Sequence, residues 1–148
     1  MSLFPVFGVS RVRWEEAGEQ LRTIRTTVFV GEQNVPVELE LDGLDWQCLH
    51  VVAVSATGEV VGTGRLLPDG HIGRMAVLQP WRGRGVGRAL LLELLAAAGD
   101  GGIERVELNA QTHAVGFYAR FGFKVVSGEF MDAGIPHCTM RMDQIKRK

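Results

Sequence analysis

"QPWRGRGVGRALLLELLAAA", residues 79–98, decides how this chain folds and what it holds. A proline, three glycines and three arginines lead straight into an apolar run. Val86, Leu90, Leu91, Leu94, Leu95 and Ala98 recur at helical spacing, which predicts a helix over 85–98 that "GDGG" at 99–102 stops. "HIGRMAVL" at 71–78 reads as a strand, so the glycines fall at a strand-to-helix turn. The first turn of a helix has backbone N–H groups with no intrahelical partner, and the helix dipole adds partial positive charge there. Glycines let an anion approach that backbone, which makes a phosphate cradle, and Arg82, Arg84 and Arg88 add formal charge. The plain alternative is a flexible connection carrying surface arginines.

Outward from this stretch the pattern is mixed. Residues 4–12 read as a first strand. Trp14, Ala17, Leu21, Ile24, Val28 and Phe29 form a helical stripe. Residues 31–47 are acidic and turn-rich, and read as a loop or short helix. "CLHVVAVSA" and "VVGTGRLLP" are two strands of a hairpin across "TGE", and "PDG" at 68–70 is a further turn. "RVELNA" at 105–110 alternates as a strand. Thr112 is placed to cap a short helix from His113 to about Phe121, ended by Gly122. "FKVV" and "HCTMRM" close the chain as strands. The order β, α, β, β, β, α, β, α, β, β is an α/β sheet with hairpins among crossover units.

Composition limits the function. The 148 residues fit one domain, and 46% hydrophobic content is enough for one core. With a net charge of −1 and scattered arginines, no basic face for nucleic acid or an anionic membrane emerges. No signal peptide is read at the N-terminus, and the longest apolar run is too short to span a bilayer. Cys48 and Cys138 make no disulfide framework and suggest the cytoplasm. "CLH" and "HC" lack the spacing of a zinc site, so no metal is expected.

Which cradle is it? A P-loop requires Lys-Ser or Lys-Thr at its end, and Gly87 is followed by Arg88-Ala89. The dinucleotide fingerprint requires a third glycine where Arg88 stands. What remains is Arg82-x-x-Gly85-x-Gly87, flanked by "RMAV" and "ALLLELL". This resembles the pyrophosphate-binding signature of the GCN5-related N-acetyltransferase (GNAT) family. "VELNAQTHAVGFYARFGF" at 106–123 is similar to that family's second signature: a strand ending in Asn, then a helix carrying Phe-Tyr and finishing in Gly-Phe. "VFVGEQNVPVELELDGLD" and "GEFMDAGIPHCTM" resemble its ElaA/YjcF-like branch.

The resemblance implies a mixed, mostly antiparallel central sheet of six to seven strands flanked by helices. That sheet is splayed between the strands near 71–78 and 105–110. It implies acetyl-CoA as acetyl donor and a primary amine, on a small molecule or a peptide, as acceptor. The backbone of Arg82, Gly83, Arg84, Gly85, Val86, Gly87 and Arg88 would hold the pyrophosphate. Met75, Ala76 and Val77 would make main-chain contacts to the pantetheine arm, with the Val77 N–H donating to the thioester oxygen. Asn109, Phe117 and Arg120 would also contact the cofactor. Tyr118 falls where the family places an acid near the sulfur; packed between helix and sheet it would be merely structural. Homodimers occur in the family, and the last strands and sheet edges are where a second copy would pair.

Two further features bear on the acceptor. His71 falls where some members carry a glutamate base, and a histidine titrates near neutrality; a solvent-facing residue after the turn is the alternative. His113 reads as a surface residue, and His50 and His137 read as buried, hydrogen-bonded strand residues. Glu32, Glu38, Glu40, Asp42 and Asp45 crowd a stretch with no basic residue, which would attract a cationic amine or simply be a solvated loop. A CoA-binding sensor or partner module without transfer activity is the competing function.

Overall fold

In the computed structural model, which describes residues 6–144, β1 (Phe7–Val12), β2 (Leu49–Ser55), β3 (Val60–Leu66) and β4 (Ile72–Val77) form one antiparallel sheet in that order. Positions 4 and 5 of the expected first strand lie outside the described residues. β2 is apolar on both faces because both are covered. Val51 and Ala53 join the core under α3 (Val86–Asp100), while Val52 packs with Trp14, Ala17 and Leu21 of α1 (Trp14–Arg25). Leu90, Leu91 and Leu94 of α3 are fully buried. The helix sits low on the sheet because β3 presents no side chain beneath it. A Cβ on Gly62 would stand 2.9 Å from both Leu90 Cδ1 and Val86 Cγ1. This packing fixes the start of α3 at the C-terminal end of β4.

α1 does not stop where its stripe weakens. It continues as a widened π turn over Thr26–Glu32, in which the Gln33 N–H donates to the Val28 carbonyl at 3.2 Å. The acidic stretch then forms α2 (Val37–Glu40) and a single 3₁₀ turn at Asp45–Gln47.

The second sheet is built on β8 (Ile135–Asp143). β5 (Arg105–Gln111) pairs with one edge, and β6 (Lys124–Val125) and β7 (Phe130–Asp132) pair with β8 as well. Eight strands are therefore present among the described residues where six to seven were expected. The extra one comes from the β7–β8 hairpin, whose two-residue turn has positive φ at Ala133 (51°) and Gly134 (77°). The expected helix over 113–121 is shorter. A 3₁₀ turn at Thr112–Ala114 leads into α4 (Val115–Ala119), and the Thr112 side chain caps neither.

The two sheets meet along one seam. His71 and Glu107 form a parallel bridge, and the Glu107 N–H donates to the Gly70 carbonyl at 3.1 Å. Beyond that point no ladder joins β4 to β5 among the described residues, so the strands diverge toward their C-terminal ends. This is the splay that the resemblance implied.

Candidate active site

The seam, the loop after β4 and the start of α3 converge at one place. Gly83 and Gly85 have φ of 76° and 83°, a region that side chains with a Cβ avoid, and nothing lies within 4 Å of where their Cβ atoms would be. Gly85 is the residue before the first helical turn, and no side chain caps it. The Ala89 N–H donates to the Gly85 carbonyl at 3.0 Å, so the N–H groups of Val86, Gly87 and Arg88 precede the first intrahelical bond. An open, uncapped helix start fits a phosphate. Gly87 is in ordinary helical geometry, and a Cβ there would sit 3.7 Å from the Phe117 ring. Arg88 and Arg120 are exposed, and Arg84 stacks its guanidinium 5.9 Å from the centre of the Trp81 ring.

The backbone of β4 is turned toward the seam by a bulge. Thr63 faces Ala76 and Arg65 faces Gly73, so Arg74 and Met75 stand opposite Gly64 alone. Arg74 takes the left-handed conformation, with φ of 52°. The Leu78 N–H donates to the Val61 carbonyl at 2.9 Å, which makes that a hydrogen-bonded pair. By the alternation of an antiparallel ladder, the Gly62–Val77 pair is then non-bonded, and the N–H and C=O of Val77 point away from β3. The Val77 carbonyl accepts from Arg82 Nε at 2.9 Å, in keeping with that orientation. Ala76 sits at a hydrogen-bonded position of the same ladder and turns its N–H to β3.

A cleft of about 520 Å³ opens beside the bulge. His71, Met75, Asn109 and Tyr118 line it, with Phe29, Val35, Leu39 and Ile135 as apolar wall. Residues 79–88 do not line it, so the cradle and the cleft are separate, with Met75 and Tyr118 on the cleft side. The Tyr118 hydroxyl lies 3.8 Å from Met75 Sδ, and the Tyr118 ring packs edge-on against Phe117 and Phe123. Burial pushes its phenol up to about 12, so it keeps its proton throughout the neutral range. Asn109 accepts from the Thr139 hydroxyl at 2.9 Å, which fixes its amide.

The acidic stretch is not a free field of charge. Arg25 and Arg65 are buried, and Arg74 is half-buried. Arg25 Nε donates to Glu40, and its Nη1 donates to Asp45 at 2.7 Å. Arg65 donates to Asp42 and Asp45, and Arg74 reaches Asp42 at 3.2 Å and the Glu40 carbonyl at 3.1 Å. Glu40, expected to draw an amine, is thus buried with its carboxylate already paired. Glu32 pairs with Arg82 at 2.7 Å. Glu38 is exposed on α2 and does not line the cleft.

The expected base is also engaged. His71 holds Nδ1 2.9 Å from Asp69 and Nε2 3.6 Å from Glu107, so both ring nitrogens face carboxylates. His50 is buried, donates from Nε2 to the Asp45 carbonyl at 2.9 Å, and lies with its ring 5.0 Å from the Trp14 ring. Arg74 as the bulge residue and Asp132 on the terminal hairpin escaped the sequence reading, and His137, buried and hydrogen-bonded in its strand as expected, was not foreseen as a cleft residue. The "DAG" turn at 132–134 was the available signal for the last two.

Known proteins are similar to this chain in sequence and fold. A family model described as an acetyltransferase (GNAT) domain matches residues 19–144. The uncharacterised N-acetyltransferase YjcF of Bacillus subtilis is 45% identical over 132 residues, covering 84% of this chain and 94% of that protein. An acyl-CoA N-acyltransferase from Pseudomonas aeruginosa superposes with a TM-score of 0.83 at 32% identity, covering 92% of this chain and 99% of that one. Escherichia coli ElaA superposes with a TM-score of 0.83 at 29% identity, again over 92% and 99%. A chain whose glycine–arginine helix start lies beside a splayed seam is thus matched by both sequence and fold, and it belongs to the GNAT family of acyltransferases.

Proposed function

We propose that this chain is an acetyl-CoA-dependent N-acetyltransferase that moves the acetyl group to a primary amine by direct attack in a ternary complex. One observation carries the reading. The uncapped start of α3, the outward N–H of Val77 and the protonated Tyr118 hydroxyl all border the same seam. Bound acetyl-CoA would supply an activated acyl carbon and a thiolate leaving group. The N–H groups of Val86, Gly87 and Arg88 hold the pyrophosphate, and Arg82, Arg84, Arg88 and Arg120 add positive charge around it. Val77, with Met75 beside it, lines the pantetheine path, and the Val77 N–H polarises the thioester oxygen. Tyr118 gives its proton to the departing sulfur. A phenol raised to about 12 is a weak acid, so its help is a hydrogen bond completed as the C–S bond breaks. The two free thiols suit a reducing cytoplasm.

Thermal unfolding with acetyl-CoA, CoA and ATP tests the cradle. Ligand bound only to the native state adds about 2.7 kcal/mol at a hundredfold excess over Kd. Gly87→Glu puts a carboxylate at the helix start without backbone strain. Acetyl-CoA should raise Tm in the parent protein, ATP should not, and Gly87→Glu should fold but lose the shift. No shift in the parent protein removes the proposal. Binding without thiol release on a panel of primary amines would leave a CoA-binding module instead.

A further inference from the structure

The terminal hairpin brings a second histidine to the cleft, and its surroundings differ from those of His71. His137 is buried, and its ring lies parallel to Phe130 with centroids 6.0 Å apart. Its Nδ1 is 2.7 Å from the Ile135 carbonyl. A carbonyl only accepts, so Nδ1 carries the proton and the neutral ring keeps its lone pair on Nε2. Nε2 has no protein partner among the described residues, and His137 lines the cleft. Asp132, at the end of β7 and opposite Ile135, also lines the cleft, and it has no basic partner among the described residues. The other carboxylate in the lining, Glu40, is paired with Arg25.

Resting on the acetyltransferase reading above, we propose that His137 is the general base of this enzyme and that the cleft takes a primary amine on an apolar arm. The arm packs on Phe29, Val35, Leu39, Met75 and Ile135. Asp132 attracts the ammonium group, and His137 Nε2 removes one proton from it. The freed nitrogen lone pair then forms the bond to the acyl carbon, and the carbon–sulfur bond breaks. The nitrogen loses a second proton as it becomes an amide, and the sulfur gains one through the Tyr118 hydroxyl. The proton on His137 passes to water, so the net change is one amide, one thiol and one released proton. The titratable and charged groups around His137 are Asp132 from β7, His113 from the turn after β5, Cys138 on its own strand, and Arg65, His71, Tyr118, Glu40 and Arg74 elsewhere in the cleft.

The test measures kcat/KM against pH with acetyl-CoA and benzylamine, phenethylamine or hexylamine, with acetyl-CoA binding followed separately by thermal shift. In the parent protein kcat/KM should level off well below the pKa of each amine, because the enzyme deprotonates it. His137→Asn keeps an N–H for the Ile135 carbonyl but removes the base. It should lower kcat/KM about 100-fold near neutrality. Its profile should climb until the amine's own pKa, where it approaches the parent, and the acetyl-CoA shift should persist. A parent profile that climbs to the amine's pKa overturns the base, whether or not the variant folds. A folded variant with an unchanged profile does the same. No turnover of any of the three amines by protein that binds acetyl-CoA overturns the apolar-amine cleft. Failure to bind acetyl-CoA overturns the underlying reading instead.

Discussion

Arg82 Nη2 stands 2.7 Å from Glu32 Oε2, while Arg82 Nε donates to the Val77 carbonyl at 2.9 Å. One side chain therefore braces the glycine loop against both the π turn after α1 and the end of β4. The pair is partly exposed, so its direct worth to stability is at most about 1 kcal/mol. Its worth to the site is larger. Arg82→Ala should leave the urea midpoint nearly unchanged and weaken acetyl-CoA binding about tenfold, a difference of about 1.4 kcal/mol. Isothermal titration of the variant checks this, and an unchanged Kd would mean that Arg82 braces nothing the ligand needs.

Tyr118→Phe removes a hydroxyl whose one described contact is Met75 Sδ at 3.8 Å. Stability at pH 7 should change little, while kcat should fall about 100-fold with acetyl-CoA affinity retained. The parent protein should also show an alkaline signature. The folded phenol is raised to about 12, so between about pH 10 and 12 the unfolded chain releases a proton that the folded one keeps. Stability due to Tyr118 is complete below pH 10 and lost as pH rises through that window. Tyr118→Phe should flatten this decline in a plot of unfolding free energy against pH.

Gly62→Ala tests the close seat of α3. Its Cβ would come 2.9 Å from Leu90 and Val86, and overpacking of this kind costs about 1–3 kcal/mol. Each kcal/mol should lower Tm by about 2–4 °C in a chain of this size. Because Val86 opens the helix, the acetyl-CoA shift should shrink as well. Scanning calorimetry with and without ligand separates the two effects.

Arg25 is buried between Glu40 and Asp45, and its loss leaves charge without its main partner. Arg25→Met should cost about 3–5 kcal/mol in urea denaturation. The same network predicts acid sensitivity. Burial alone would raise the carboxyl of Asp42, but hydrogen bonds from Arg65 and the Leu44 N–H hold it at about 2, and Asp45 is lowered likewise against its burial by Arg25 and Arg65. Stability due to these groups is complete above the ordinary aspartate range near pH 4 and lost as pH falls toward 2. Urea midpoints between pH 5 and 2 should fall, less steeply in Asp42→Asn.

These particulars separate what the sequence discloses from what it conceals. The helix over 86–100, the glycine turn and the hairpin of β2 and β3 were legible because their periods and turn residues lie within one short window. The fate of the acidic stretch was not. The carboxylates of Glu40, Asp42 and Asp45 are matched by Arg25, Arg65 and Arg74, which stand 15 to 34 positions away from their partners. His71 and His137 look alike in the sequence. Their difference lies in which atoms face each ring nitrogen, a matter of tertiary contact. The bulge at Arg74 was hidden too, because nothing in "GRMAV" marks an arginine for positive φ.

The open edge of β4 carries a consequence for how such a protein can change over time. A substitution replaces a side chain but leaves the peptide N–H where it was, so a partner gripped by Val77 and the first turn of α3 is gripped by the fold rather than by composition. The cleft wall at Phe29, Val35, Leu39 and Ile135 has no such insurance, since each of those contacts is a side chain. Mutation can therefore redraw the cleft freely while the cradle stays as it is.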